Sequence, residues 1–187
     1  MIDAVKLLWH HVPCILVHSG NGYTPCFKTN THQVIAKIND GAPIELVQGP
    51  DDICAGFSPE GKTQHWHSHG CSKNRSVQFM DRMASFEIRY WLQMPPLKKG
   101  EAMTLDKNTV SWLRLVYSKN LIRSACQKCG WKEACSEVAA NKFAGVKLMP
   151  DALPKFYPFN LSHPLRRSYA QSWSDQSQHH YLKASPP

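Results

Sequence analysis

The sequence predicts a mainly α protein: a compact helical domain over residues 1–150, with long loops that converge on a cysteine metal or cluster site. It allows at most one short β segment and predicts a disordered or loosely packed tail over residues 151–187. Three observations predict this. Four stretches place apolar residues at helical spacing, seven cysteines occur in 187 residues, and the composition shifts after Pro150 towards Ser, Gln and His. With 42% apolar residues the chain can bury one sizeable core.

The elements follow in order. Leu16 to Tyr23 passes from an apolar segment into the turn Gly20-Asn21-Gly22, a weak phosphate-loop signal because no Gly-Lys-Ser/Thr follows. Between Thr29 and Asn39, Val34, Ile35 and Ile38 repeat at helical spacing, with Thr29 or Asn30 as cap and Asn39-Asp40-Gly41 as stop. Ile44–Val47 reads as the short strand. Gly49-Pro50-Asp51-Asp52 forms a turn that delivers Cys54, and a polar loop with His65, His67 and His69 leads to Cys71.

Residues 76–91 form the next helix, with Val77, Met80, Met83, Ala84 and Ile88 on its apolar positions and Pro95-Pro96 as its stop. Val110, Leu113, Val116, Tyr117 and Leu121 mark a helix over 107–124, capped by Asp106 or Thr104. A last helix spans 131–142, with Trp131, Cys135 and Val138 along one side. In the tail, His179-His180 sits in a polar run and reads as solvated rather than metal-binding.

Mean hydropathy is −0.41 and no long apolar run exists, which argues against a transmembrane helix. The first residues lack the pattern of a secretory signal, so a cytoplasmic location with reduced thiols is expected. The net charge is +8, but the longest basic runs are the pairs Lys98-Lys99 and Arg166-Arg167. With no nucleic-acid motif beside it, this charge reads as a solvated surface.

An odd number of cysteines without a secretion signal argues against a disulfide framework and for metal ligation. Cys126-x-x-Cys129 sets two sulfurs close enough to share one centre, and Cys135 lies about one turn into the following helix. A helix N-terminus there favours thiolates and an anionic cluster. A further ligand has to come from elsewhere. Cys54 and Cys71 are the first candidates, and Cys14 is the next, because His10-His11-x-x-Cys14 gathers three ligand-capable side chains.

Each of these cysteines alone is an ordinary core residue, Cys14 most of all, with Val12, Ile15 and Leu16 around it. Cys26 reads as a free thiol. One CxxC rather than two knuckles suits a four-cysteine iron–sulfur cluster best, zinc next, and thiol redox chemistry least. No catalytic motif is recognisable. Asp51 and Asp52 beside His10-His11 allow proton chemistry, but turn hydrogen bonding explains that acidic pair better.

Taken together, these motifs resemble a small prokaryotic family, domain of unknown function 1284, described as candidate iron–sulfur binding proteins. The segments that carry the resemblance are His10-His11-Val12-Pro13-Cys14, Gly20 to Pro25, Gly49 to Cys54, His69-Gly70-Cys71, Ser76-Val77, Asp81-Arg82, Cys126 to Trp131 with Cys135, and Phe143 to Leu148. The resemblance spans residues 9–149. It implies that Cys14, Cys54, Cys71, Cys126, Cys129 and Cys135 are the family's cysteine positions and that Cys26 is not. The expected function is electron transfer or redox sensing with a protein partner, and a zinc-stabilised interaction domain is the alternative.

Overall fold

The computed structural model describes residues 3–48, 50–57, 75–95 and 102–155. The His65–His69 run, Cys71 and the chain beyond residue 155 lie outside the described residues. In order, the elements are β1 (Val5–Leu7), α1 (His11–Val17), α2 (Pro25–Asn39), β2 (Ile44–Leu46), α3 (Arg75–Leu92), β3 (Ala102–Met103), α4 (Lys107–Ser118) and α5 (Lys132–Ala140). Two 3-10 turns, Cys54–Phe57 and Ser124–Cys126, complete them. The fold is mainly α, as the apolar periodicity predicts.

The expected strand is the centre of a three-stranded sheet. β2 pairs in parallel with β1, Val5 opposite Ile44 and Leu7 opposite Leu46, and antiparallel with β3, Ile44 opposite Met103. Val5, Leu7 and Ile44 point into the core while Lys6 stays exposed, so the alternation required of a half-buried strand holds. A parallel pair needs a crossover, and α1 and α2 supply it.

α2 starts four residues before the expected Thr29. Thr24 Oγ1 accepts from the Phe27 N–H at 3.1 Å, and Pro25 takes the first turn, where its missing N–H costs nothing. Asp106 caps α4 as expected, accepting from the Thr109 N–H. That helix ends at Ser118 rather than near 124. Asn120 adopts a left-handed φ of 60°, and the Leu121 N–H folds back on the Val116 carbonyl at 3.0 Å. α3 and α5 fall within a residue or two of the predicted spans.

Leu7, Ile15, Leu16, Ile35, Ile38, Ile44, Ile88, Leu113 and Leu148 are fully buried, each contributing on the order of 1.5–3 kcal/mol. Among them lies a whole arginine. Arg114, 0% exposed, donates from its guanidinium to the carbonyls of Leu16, Leu148, Met149 and Ala152. Burial lowers its pKa to about 10, which leaves it charged at neutral pH. This one side chain ties the end of α1 and the segment 148–152 to α4. The packed chain therefore continues beyond Pro150, with Ala152 buried and the Ser111 hydroxyl donating to the Leu153 carbonyl.

Candidate metal centre

α1 begins directly after β1 through a turn in which the His11 N–H bonds the Leu8 carbonyl at 3.0 Å. Val12, Ile15 and Leu16 take the core side of this helix. His11, Cys14 and His18, at spacings of three and four, share another face and line a cavity of about 420 Å³. The apolar neighbours that make Cys14 look like a core residue are thus the reason it faces the cavity.

The opposite wall comes from the segment after α4. The Cys129 N–H bonds the Cys126 carbonyl at 3.1 Å, closing a turn that brings the two cysteines together. The Cys135 N–H bonds the Trp131 carbonyl at 2.9 Å, within the first turn of α5, as the spacing predicts. Cys14, Cys126, Cys129 and Cys135 all line the same cavity. Each of the other three influences the Cys14 thiol electrostatically.

Their protonation follows from this setting. Burial, and then the three other sulfurs, hold the Cys14 thiol well above its ordinary value. Cys14 nonetheless has accessible surface and lines the cavity. Burial likewise pushes Cys126 up to about 11, against the lowering influence of Arg123, and raises Cys135. Without a cation these are protonated thiols at neutral pH, poorly suited to thiolate catalysis. A metal centre supplies the charge that displaces their protons.

The separation of the sulfurs bears on what fits. A single tetrahedral zinc with Zn–S of about 2.3 Å needs sulfurs roughly 3.8 Å apart. Among the described residues, the group of three ligand atoms lying within 4.8 Å of one another is His11, Asp51 and Cys54, not three of these cysteines. No three of the four sulfurs lining the cavity approach one another that closely.

Cys54 is buried beside this centre and also lines the cavity. Its N–H donates to Asp51 Oδ1 at 2.9 Å, while Asp51 Oδ2 accepts from the Leu8 N–H at 2.7 Å and from His11 Nδ1 at 2.5 Å. Burial alone would raise the Asp51 pKa, but His11 and the two backbone N–H groups outweigh it and hold the carboxyl far below its usual range. Burial would lower His11, but Asp51 overcomes this and raises it. His10 is held by a second carboxylate, Asp81 of α3, at 2.7 Å. Burial and the neighbouring His11 lower its pKa against the pull of Asp81.

Two histidines, each fixed through Nδ1 by a carboxylate, thus line the cysteine cavity, an arrangement typical of the surroundings of metal sites. Asp52 ties this turn to β1 instead of closing it, accepting from the Lys6 N–H at 2.9 Å, and the expected turn bond is the one from the Cys54 N–H to Asp51. Asp51 does more than the turn requires. Its pairing with His11 has no local sequence signal, because the partners are 40 residues apart.

An aromatic group closes another side of the cavity. Tyr23 contacts Phe27, Phe57 and Trp131 at centroid distances of 5.3, 5.6 and 5.5 Å. Gly56 lets the 3-10 turn that carries Phe57 press against α2, since a Cβ there would meet Asn30 Cβ at 2.8 Å and Phe27 Cα at 2.9 Å. Cys26 is exposed on the first turn of α2 and does not line the cavity. Cys71 lies outside the described residues.

A family model described as "Protein of unknown function (DUF1284)" matches residues 22–135, more than half of the chain. The matched span includes Cys26, Cys54, Cys71, Cys126, Cys129 and Cys135, whereas Cys14 precedes it. No curated protein and no solved structure matches.

Proposed function

The chain belongs to the family described as a protein of unknown function (DUF1284), and from that premise we propose that it is an iron–sulfur cluster binding protein serving electron transfer or redox sensing. The observation that supports this most is the meeting of Cys14, Cys126, Cys129 and Cys135 around one cavity. These four would be its ligands. Bound there, a cluster supplies one-electron chemistry.

The protein's own residues do the rest. Tyr23, Phe27, Phe57 and Trp131 give one side of the cavity an apolar lining, which would tune a reduction potential through the local dielectric. Asp51 and Asp81 fix the rings of His11 and His10 through Nδ1, so that each imidazole has a set orientation at the cavity. Arg123 lends Cys126 positive potential. A cytoplasmic setting with a redox partner protein fits this reading, and no described helix is long and apolar enough to cross a membrane.

Metal and acid-labile sulfide analysis, with an optical spectrum, on protein purified without oxygen tests the proposal. Iron and sulfide in similar amounts, with a brown colour lost in air, are expected. A colourless protein with stoichiometric zinc overturns it. That second outcome has its own support in His11, Asp51 and Cys54, whose ligand atoms lie within 4.8 Å of one another. There the protein would be a zinc-stabilised interaction domain that a chelator unfolds.

A further inference from the structure

Beside the cysteine cavity, the Gly20 turn collects basic groups from three parts of the chain. His18 ends α1, Lys28 and His32 share one face of α2, and Lys147 is held against the end of α1 by its N–H bond to the His18 carbonyl at 2.9 Å. Asn39 fixes the same strand of chain, donating to the Lys147 carbonyl and accepting from the Met149 N–H, both at 2.9 Å. The backbone is thus set, while the two exposed lysine side chains are free to turn.

Gly20 has φ +114°, and a Cβ on it would lie 3.7 Å from His32 Nε2, 3.8 Å from Lys28 Cε and 3.9 Å from Lys147 Cε. The His18 and His32 rings meet edge to face at 5.0 Å. Both Nε2 atoms are buried, and neither has a hydrogen-bond partner among the described residues. A buried polar atom left in this state costs about 1–3 kcal/mol, and two side by side call for a ligand.

Charge decides which kind. Burial lowers the pKa of both histidines and the two lysines lower them further, with His32 adding to the effect on His18, which falls to about 4. Among the described residues, no carboxylate acts on either ring. Two ammonium groups repel a metal cation, and an apolar occupant leaves both nitrogens unsatisfied. An oxyanion meets two ammonium groups and an N–H from each neutral ring.

We propose that His18, His32, Lys28 and Lys147 form a phosphate-binding site over Gly20, taking inorganic phosphate or the phosphoryl group of a small monoester. Donors approach from α1, α2 and the Lys147 segment, which suits a tetrahedral anion better than a planar carboxylate. The site stands apart from the cluster reading, since it needs neither iron nor sulfide.

Calorimetric titration of the full chain with inorganic phosphate, and in parallel with glycerol 3-phosphate, tests this. Saturable binding and a raised Tm are expected, with no such effect from chloride at matched ionic strength. Tighter binding of the ester would identify a phosphorylated metabolite as the ligand, and equal or weaker binding the free ion. The exposed pair Lys28→Ala with Lys147→Ala should weaken binding at least about tenfold and leave the unfolding midpoint without phosphate unchanged, whereas Arg at both positions retains binding. Heat no greater than that of chloride, or full affinity in the double alanine variant, overturns the site.

Discussion

Asp51 and His11 meet Oδ2 to Nδ1 at 2.5 Å, joining the turn before Cys54 to the first residue of α1. Asp51 is 1% exposed and also holds the Leu8 and Cys54 N–H groups, so one carboxylate positions both sides of this corner of the cavity. Asp51→Asn should cost about 2–4 kcal/mol, read as a shift in urea midpoint without a change in slope.

The same pair sets a pH window. Asp51 is depressed below its ordinary 3.8, so its contribution is present above that value and is lost as pH falls through the lower folded value. His11 is raised above 6.5, so its contribution is present below 6.5 and is lost as pH rises through the higher folded value. Stability from this pair is therefore complete between these two values, and the Asp51→Asn variant should show a flatter pH profile in urea titrations.

Cysteine replacements separate the four-sulfur centre from its neighbours. Ser at Cys14, Cys126, Cys129 or Cys135 should each remove most of the bound iron and sulfide, measured per chain after anaerobic purification. Cys26→Ser should bind as the parent does, because Cys26 is exposed and outside the cavity. A Cys14 replacement with full iron content would confine the ligands to the later segment and Cys54 or Cys71.

Arg114→Leu strands the carbonyls of Leu16, Leu148, Met149 and Ala152 without their donors. A loss of about 3 kcal/mol or more is expected by chemical denaturation. Arg114→Lys should recover only part of it, since an ammonium cannot span four carbonyls as the guanidinium fork does.

Gly56→Ala drives a methyl group into the Cβ of Asn30 and the backbone of α2 at Phe27. The cost should be about 1–3 kcal/mol, with Tm as the readout. Quenching of Trp131 fluorescence should change as well, because the aromatic group includes Phe57.

What the sequence disclosed depends on the range of each signal. The Cys126–Cys129–Cys135 group is local, and its placement at a turn and the first turn of α5 follows from spacing alone. Cys14 carries a weaker signal, because α1 has only seven residues and includes Pro13. Its helical face of His11, Cys14 and His18 emerges only once Val12, Ile15 and Leu16 are seen to turn inward. β1 and β3 have three and two residues, too few for any periodicity to register. Thr24-Pro25 was a readable helix start, masked by the turn glycines just before it. The pairings Asp51–His11 and Asp81–His10 join residues distant in sequence and leave no local trace.

Cys14 and Cys126 stand more than a hundred residues apart. A group bound to both acts as a cross-link, and closing a loop of that length removes about 4–5 kcal/mol worth of freedom from the unfolded chain. It also dictates an order of assembly. During synthesis, α1 emerges long before the Cys126–Cys135 wall exists, so the pocket is incomplete until nearly all of the described chain has left the ribosome. If the site takes the proposed cluster, its four ligands are all available only after Cys135 has been made.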